Sequence, residues 1–280
     1  QSEMDRTYSY PYMRTYHPSY EEAGGVPAIS EVKFSLISNR GCFGGCSFCT
    51  IAAHQGKHIQ SRSEESILAE VERLNTLPGF AGNISDIGAP TANMYGMSGN
   101  DKSVCEKCFR KSCLYPKMCP NLNNSHRRLL KLYKSVSEIK GIKHAYIGSG
   151  IRYDLFIDEK GFLDSSSKPY FEELVTKHTS GRLKVAPEHC SQNVLGLMGK
   201  PSFKVYEKFR SRFYELTKSV GKQQYLVPYL MSSHPGSTLE DAVALAEYLN
   251  KMGRQPEQVQ DFYPTPGTAS TVMYYTGINP

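Results

Sequence analysis

The chain has 280 residues, a formal net charge of +6 and eight cysteines. A chain of this length can bury a hydrophobic core without disulfides, which excludes a small secreted disulfide scaffold. No run of about 18 apolar residues predicts a membrane span, and nothing at the start resembles a signal peptide. The mild positive charge is compatible with a nucleic-acid partner but does not by itself indicate one. Because the sequence begins at Gln1 rather than Met, we expect a piece of a longer protein.

Residues 1–30 show no clear period and are rich in tyrosine, so we expect an extended lead-in that packs through its tyrosines. After it, apolar runs alternate with amphipathic stretches. The predicted strands are residues 32–38, 82–88, 144–150, 182–189, 223–232 and 258–266. The predicted helices are residues 61–77, 125–139, 168–179, 203–220 and 237–253, the first with Ser61 and Glu64 at capping-box spacing. Alternation of this kind predicts an α/β domain over residues 31–280, a partial (β/α)6 TIM-like barrel of parallel strands.

Active sites of such barrels lie at the carboxyl ends of the strands. Chemically distinctive residues follow each predicted strand, and we expect them to meet at one rim. In chain order they are the cysteine loop at 41–50, Gly88 to Thr91, Ser149 with Arg152, Glu188 with His189, Ser233 with His234, and Tyr263 to Thr268.

A Cys-rich insertion loop at about residues 89–124 interrupts the alternation, and a loop of this length is usually functional or separately stabilised. Cys105, Cys108, Cys113 and Cys119 fall within it. Four thiolates can close either a zinc site or a second [4Fe–4S] cluster, and the spacing decides between neither. His126 is a candidate substitute ligand, and reduced thiols without metal are the third alternative. We expect the loop to order a lid near the active site.

The stretch "GCFGGCSFCT" places Cys42, Cys46 and Cys49 four and three residues apart. A helix would bring them to one face, but each interior glycine costs a helix about 1 kcal/mol, and three glycines here indicate a loop. A structural zinc site takes four protein ligands, and His54 is the nearest candidate for a fourth. Three thiolates on such a loop suit an iron–sulfur cube with one iron left open.

The Cys-x3-Cys-x2-Cys spacing, with Phe48 before the last cysteine and a barrel strand before the loop, resembles the radical S-adenosylmethionine (SAM) enzymes. The segments "ISDIGAPTANMYG", "KVAPEH" and "VQDFYPTPGTASTVMYYTG" resemble the YgiQ-type (UPF0313-like) branch of that superfamily. The resemblance implies a [4Fe–4S] cluster on Cys42, Cys46 and Cys49 that cleaves SAM reductively to a 5′-deoxyadenosyl radical. The radical would abstract hydrogen from a substrate that the sequence does not name.

By position in that family, further residues are implied to contact SAM. Gly88 to Thr91 would take the methionine amino group, although "GAPT" lacks the acidic residue of the commoner Gly-Gly-Glu form. Glu188 would accept ribose hydroxyls, and Arg152 or Lys184 would pair with the carboxylate. Barrel-rim salt bridges are the alternative for these charges, and structural histidines are the alternative to acid–base roles for His189 and His234. The full set is Phe48, Gly88, Pro90, Thr91, Ser149, Arg152, Lys184 and Glu188.

The resemblance also implies an electron donor such as flavodoxin or ferredoxin, while clustered cysteines indicate a reducing, cytoplasmic location. Two other functions stay open. One is a non-catalytic iron–sulfur or metal-binding electron-transfer module. The other is a methylthiotransferase-like nucleic-acid modifier, suggested by the +6 charge and by "YPTPGT".

Overall fold

The computed structural model describes residues 1–253, 256 and 259–280, and the fold is mixed α/β with parallel strands. The strands are β1 (Ser35–Ile37), β2 (Asn39–Arg40), β3 (Gln60–Ser61), β4 (Asn83–Ile84), β5 (Asp86–Gly88), β6 (Ser98–Gly99), β7 (Leu122–Asn123), β8 (His144–Ala145), β9 (Arg182–Glu188), β10 (Tyr225–Ser232) and β11 (Val259–Asp261).

Helices separate most of these strands. They are α1 (Ser2–Ser9), α2 (Ile29–Val32), α3 (Ile51–His54), α4 (Glu64–Asn75), α5 (Lys102–Glu106), α6 (Arg127–Glu138), α7 (Ser167–Glu173), α8 (Gln192–Met198), α9 (Phe203–Ser219), α10 (Leu239–Lys251) and α11 (Ala269–Thr276). Helix α7 continues into a π-helical turn over Leu174–His178.

The parallel pairing follows chain order. Strand β1 pairs with β5, β4 pairs with β8, and β10 lies between β9 and β11. Backbone hydrogen bonds join the first pairs to the rest: Ile87 N donates to Tyr146 O at 2.9 Å, and Ile151 N donates to Lys184 O at 3.3 Å. The prediction of parallel strands is therefore confirmed, and their carboxyl ends lie on one side.

Several predicted boundaries differ. The third strand shrinks to β8 plus a single parallel bridge between Ile151 and Val185. The first long helix is capped by Ser63, whose Oγ accepts from Ser66 N at 3.1 Å, so the prediction of Ser61 as its cap is wrong. Residue 258 of the last predicted strand lies outside the described residues. Helices α8 and α11 were not predicted.

The lead-in is not extended throughout, because residues 2–9 form α1. Tyr10, Tyr12 and Tyr20 are more than half exposed, so most of its tyrosines do not pack. An ion pair anchors the lead-in instead. Arg14 of the lead-in contacts the buried Glu70 on α4, and the fully buried Arg62 contacts the same carboxylate. Unpaired, Glu70 would be costly to bury.

The main hydrophobic core lies between the strands and α4, α6, α7 and α9. His126 is fully buried in it, stacked on Tyr170 at 4.1 Å between ring centroids and edge-on to Phe156. Burial lowers the pKa of His126 to about 3. Among the described residues, no helix combines the length and the apolar character needed to cross a membrane.

The neutral His126 predicts acid-sensitive stability. Its pKa is about 3 in the fold and about 6.5 in an unfolded chain. Below pH 6.5 the unfolded chain binds the proton and the folded chain does not, so stability falls as pH falls. Between pH 7.5 and pH 5 this group should remove about 2 kcal/mol.

Urea unfolding of the wild type and of His126→Phe at both pH values measures this loss. We expect the variant to lose about 2 kcal/mol less than the wild type on acidification. His54→Phe, at an exposed histidine, is the control and should keep the wild-type dependence. Equal losses in wild type and His126→Phe would contradict the assignment.

Candidate functional site

Residues 41–50 form a loop directly after β2 that carries Cys42, Cys46 and Cys49. All three thiols are free and half-buried. Burial raises the pKa of Cys49, and the thiols of Cys46 and Cys42 raise it further. The three sulfurs therefore lie close enough to influence one another, as the spacing predicts.

Segments distant in sequence hold the loop from one side. Cys42 N donates to Gly56 O at 3.1 Å, and Ser47 N donates to Met198 O at the end of α8 at 3.0 Å. Ser270 N, at the start of α11, donates to Ser47 O at 2.9 Å. These anchors were not predicted, because α8 and α11 were not.

The insertion loop holds the other side. Cys113 N donates to Phe43 O at 3.0 Å, and the buried Ser112 Oγ donates to Gly44 O at 2.6 Å. The Lys57 ammonium also contacts the Arg110 carbonyl. Strands β6 and β7 pair antiparallel inside the insertion, which therefore has structure of its own and packs on the cysteine loop.

Two glycines permit this close packing. Gly45 has φ of +61°, and a Cβ there would lie 2.2 Å from the Lys111 carbonyl oxygen. A Cβ at Gly44 would lie 2.5 Å from Arg152 Nη1. The glycines thus admit the insertion backbone and the Arg152 guanidinium close to the cysteine loop.

Arg152 connects the loop to the third strand segment. Its Nε and Nη2 donate to the two oxygens of Asp154 at 3.0 and 2.6 Å. Its Nη1 lies 3.4 Å from Cys46 Sγ. Burial acts to lower the pKa of Arg152, but Asp154 and the Cys46 thiol outweigh it and hold that pKa well above the usual value. The Arg152 guanidinium is therefore engaged within the chain, by Asp154 and by the Cys46 thiol.

Glu188 ends β9 beside the cysteines in an unusual backbone conformation. Its φ is +68°, and Ser233 after β10 has φ of +58°. Non-glycine residues in this region cost about 1–3 kcal/mol and cluster at functional sites. Burial raises the pKa of Glu188, while Lys200 and Arg152 oppose that rise. Lys200 Nζ lies 3.7 Å from Glu188 Oε1 and is itself buried.

The end of β5 forms a second polar group. Asp86 Oδ1 accepts from Gly148 N at 2.8 Å and from Ser149 Oγ at 3.1 Å. A Cβ on Gly88 would lie 2.3 Å from the other Asp86 oxygen. Burial raises the pKa of Asp86. Thr91 completes the rim, with its Oγ1 3.6 Å from Cys42 Sγ.

Three functional candidates were missed. Asp86 could have been found, because it is the one charged residue of the predicted strand 82–88 and lies on the same face as Gly88. Asp154 follows Arg152 by two residues, and the sequence alone does not indicate that the two form an ion pair. Lys200 follows the left-handed Gly199 that ends α8, and no signal in the sequence indicates its proximity to Glu188.

Other predicted residues lie elsewhere. Phe48 packs against the α8 residues Val194, Leu195 and Met198. Lys184 is exposed and interacts electrostatically with Asp86 rather than contacting the cysteines. Pro90 is half-buried between Gly88 and Thr91.

The histidines are held structurally. His234 Nε2 lies 2.7 Å from Ser270 Oγ, and its Nδ1 lies 3.0 Å from Pro235 O. His189 Nδ1 accepts from Ser191 N at 3.0 Å. The prediction of His126 as a substitute metal ligand is not supported, because that ring lies in the aromatic core. His54 is exposed.

The second cysteine group also gathers its thiols. Burial raises the pKa of Cys113, the Lys57 ammonium opposes this, and Cys119, Cys108 and Cys105 raise it further. Within the described ranges, no group of three or more His, Cys, Asp or Glu side chains is arranged to hold a single metal ion.

The sequence is similar to known proteins along its whole length. The family described as "Radical SAM N-terminal" matches residues 1–35, and a domain of unknown function, DUF3362, matches residues 257–280. A UPF0313 protein of Methanocella arvoryzae is 53% identical over 279 residues, covering 100% of this chain and 45% of the relative. The UPF0313 protein CPE1196 of Clostridium perfringens is 52% identical over 278 residues, covering 99% and 41%.

The chain is similar to UPF0313 proteins along its whole length, and its first 35 residues match the radical SAM N-terminal family. The predicted resemblance is thereby confirmed. The chain spans less than half the length of these curated relatives.

Among solved structures, the radical SAM methyltransferase TsrM of Kitasatospora setae, with cobalamin and a [4Fe–4S] cluster bound, is 14% identical. The match covers 81% of this chain and 36% of TsrM with a TM-score of 0.49. The likeness is remote.

The contact at Gly45 predicts a specific loss of stability. Gly45→Ala adds a Cβ against a backbone carbonyl at positive φ, whereas Gly79→Ala adds one at φ +81° with no atom within 4 Å. Both substitutions carry the conformational cost of about 1–2 kcal/mol, and only Gly45→Ala adds an overpacking cost of about 1–3 kcal/mol.

Urea unfolding compares the two variants, and we expect Gly45→Ala to be the less stable by that overpacking cost. Equal free energies of unfolding would mean that the insertion does not pack on the cysteine loop in solution.

Proposed function

We propose that this chain is the core of a radical SAM enzyme. A reduced [4Fe–4S] cluster on Cys42, Cys46 and Cys49 would supply the electron that cleaves bound SAM to a 5′-deoxyadenosyl radical, which abstracts hydrogen from a substrate still to be identified. The observation that carries the proposal is the grouping of three free, half-buried thiols on the loop that follows the parallel strand β1 and the short strand β2.

The donor set fits such a cluster. Thiolates are its usual ligands, and hydrogen bonds to their sulfurs tune its potential. Gly44 N donates to Cys42 Sγ at 3.4 Å, and Arg152 Nη1 lies at the same distance from Cys46 Sγ. A closed zinc site would need a fourth ligand, and the exposed His54 is poorly suited to that role.

The strand order supports an active site enclosed by a partial barrel. Strand segments that neighbour one another in chain order would curve into a partial (β/α)6 barrel, with the cysteine loop at its carboxyl rim. A site enclosed in this way excludes water and limits side reactions.

SAM would contact residues around that rim. Glu188 would accept the ribose hydroxyls, and the backbone of Gly88 to Thr91 would take the methionine amino group. Because the Arg152 fork is paired with Asp154, we assign the methionine carboxylate to Lys200 instead of Arg152 or Lys184. The buried position of Lys200 beside Glu188 supports this assignment.

The remaining components are proposals of the same kind. An electron donor such as flavodoxin or ferredoxin would reduce the protein in the cytoplasm, where the thiols stay reduced. The second cysteine group would bind either zinc or another cluster. A non-catalytic electron-transfer module and a methylthiotransferase-like nucleic-acid modifier are the competing functions.

Cofactor cleavage is the direct test of the proposed activity. After anaerobic reconstitution with iron and sulfide, dithionite and SAM should yield 5′-deoxyadenosine, measured by chromatography. Cys46→Ala should abolish the product, and Cys190→Ala, at the lone cysteine, should not. A fully loaded cluster that releases no 5′-deoxyadenosine would favour the electron-transfer module. RNA retention that falls steeply with salt would favour the nucleic-acid modifier.

The assignment of Lys200 predicts weaker cofactor binding in Lys200→Met. Hydrogen bonds to charged groups contribute about 1.5–3 kcal/mol, so the dissociation constant of SAM should rise about ten- to a hundredfold. Equilibrium dialysis with the reconstituted protein measures it. Lys204→Met, at an exposed lysine on α9, is the matched control. Unchanged affinity in Lys200→Met would reject the assignment.

A further inference from the structure

The second cysteine group borders a cavity that the first site does not use. The cavity has a volume of about 540 Å³, and Cys105, Cys108 and Cys113 line it together with Phe43, Lys57 and Gly99. Cys119 is tied to the same group, because Cys119 N donates to Cys113 O at 2.7 Å. Four thiols are thus gathered on one compact part of the insertion.

Local structure fixes the first of these thiols. A Cβ on Gly99 in β6 would lie 2.3 Å from Cys105 Sγ, so glycine is needed for the sulfur to approach the strand. Asn121 Nδ2 donates to Cys105 Sγ at 3.3 Å and to Asp101 O at 2.8 Å. Such N–H donors to sulfur are a feature of iron–sulfur sites.

The geometry discriminates between the two metals that the sequence left open. A structural zinc ion draws four ligands to about 2.0–2.3 Å from one point, whereas three of these four thiols line the wall of one cavity of about 540 Å³. A four-iron cube places its iron atoms, and therefore its thiolates, around a volume rather than a point.

The second group lies against the first. Phe43 packs in one apolar cluster with Cys42, Cys113 and Cys119, and its carbonyl accepts from Cys113 N at 3.0 Å. The outer face of the insertion is open to a partner. Phe109, next to Cys108, is 98% exposed, and the exposed lysines around it are Lys102, Lys107, Lys111 and Lys117. This surface is complementary to a small acidic electron carrier.

We infer that Cys105, Cys108, Cys113 and Cys119 hold a second [4Fe–4S] cluster that relays electrons to the first. An acidic one-electron protein donor is oxidised at the insertion surface, the second cluster is reduced and then reoxidised, and the cluster at Cys42, Cys46 and Cys49 gains that electron. No bond or proton changes in the transfer. The relay rests on the proposed function, whereas the second cluster does not.

The first experiment isolates the second site. The triple variant Cys42→Ala/Cys46→Ala/Cys49→Ala is reconstituted anaerobically with iron and sulfide, and separately with zinc alone. We expect about four iron and four sulfide per chain, with an electron paramagnetic resonance signal after reduction. One zinc per chain without iron–sulfur assembly, or no bound metal in a variant that keeps its circular dichroism spectrum, would overturn the inference.

A second preparation guards against misfolding of the triple variant. Cys105→Ala/Cys108→Ala should lose about half the iron of the wild type, and the control Cys190→Ala should lose none. Wild-type iron content in Cys105→Ala/Cys108→Ala would overturn the second cluster, whatever the outcome of SAM cleavage.

The relay is tested by changing the reductant. Dithionite is small and should still support 5′-deoxyadenosine release by Cys105→Ala/Cys108→Ala within about twofold of wild type. A reduced flavodoxin should support it at least tenfold more slowly than in wild type. Equal rates with flavodoxin would overturn the relay while leaving the cleavage activity intact.

Discussion

The cysteine loop is shaped by backbone hydrogen bonds that come from outside it. Met198 accepts from Ser47, Ser270 donates to Ser47, and Cys113 donates to Phe43, so three distant segments fix a stretch too rich in glycine to fix itself. Glycine makes a loop adaptable but entropically expensive to order. These contacts offset that cost and hold the loop that carries the three sulfurs.

The charged side chains around the loop are paired with one another. Two cations, Arg152 and Lys200, lie among two carboxylates, Asp154 and Glu188, and all four side chains are largely buried. Buried ions are tolerated only when they are paired. Because the Arg152 guanidinium donates two hydrogen bonds to Asp154 and its Nη1 lies against Cys46 Sγ, the side chain connects a carboxylate to one of the three thiols. This pairing also explains why a guanidinium persists so close to the thiols.

The strand–helix alternation could be predicted because it depends on local periodicity, and the long helices α6, α9 and α10 fall close to where the pattern places them. The cysteine spacing likewise located the candidate site. Pairings across the rim could not be predicted. Lys200 lies beside Glu188 directly after the left-handed Gly199 that ends α8, and the apolar residues of α11 form too weak a pattern to predict a helix. Such contacts depend on tertiary packing, which sequence periodicity does not encode.

The insertion and the cysteine loop form one mechanical unit. Lys111 O lies where a side chain at Gly45 would be, and Ser112 Oγ donates to Gly44 O, so neither segment can shift without the other. Metal binding adds its free energy to the folding of the residues that hold it. A group bound at either cysteine set would therefore also stabilise the backbone contacts that the two segments share. These contacts fix the position of one cysteine segment relative to the other.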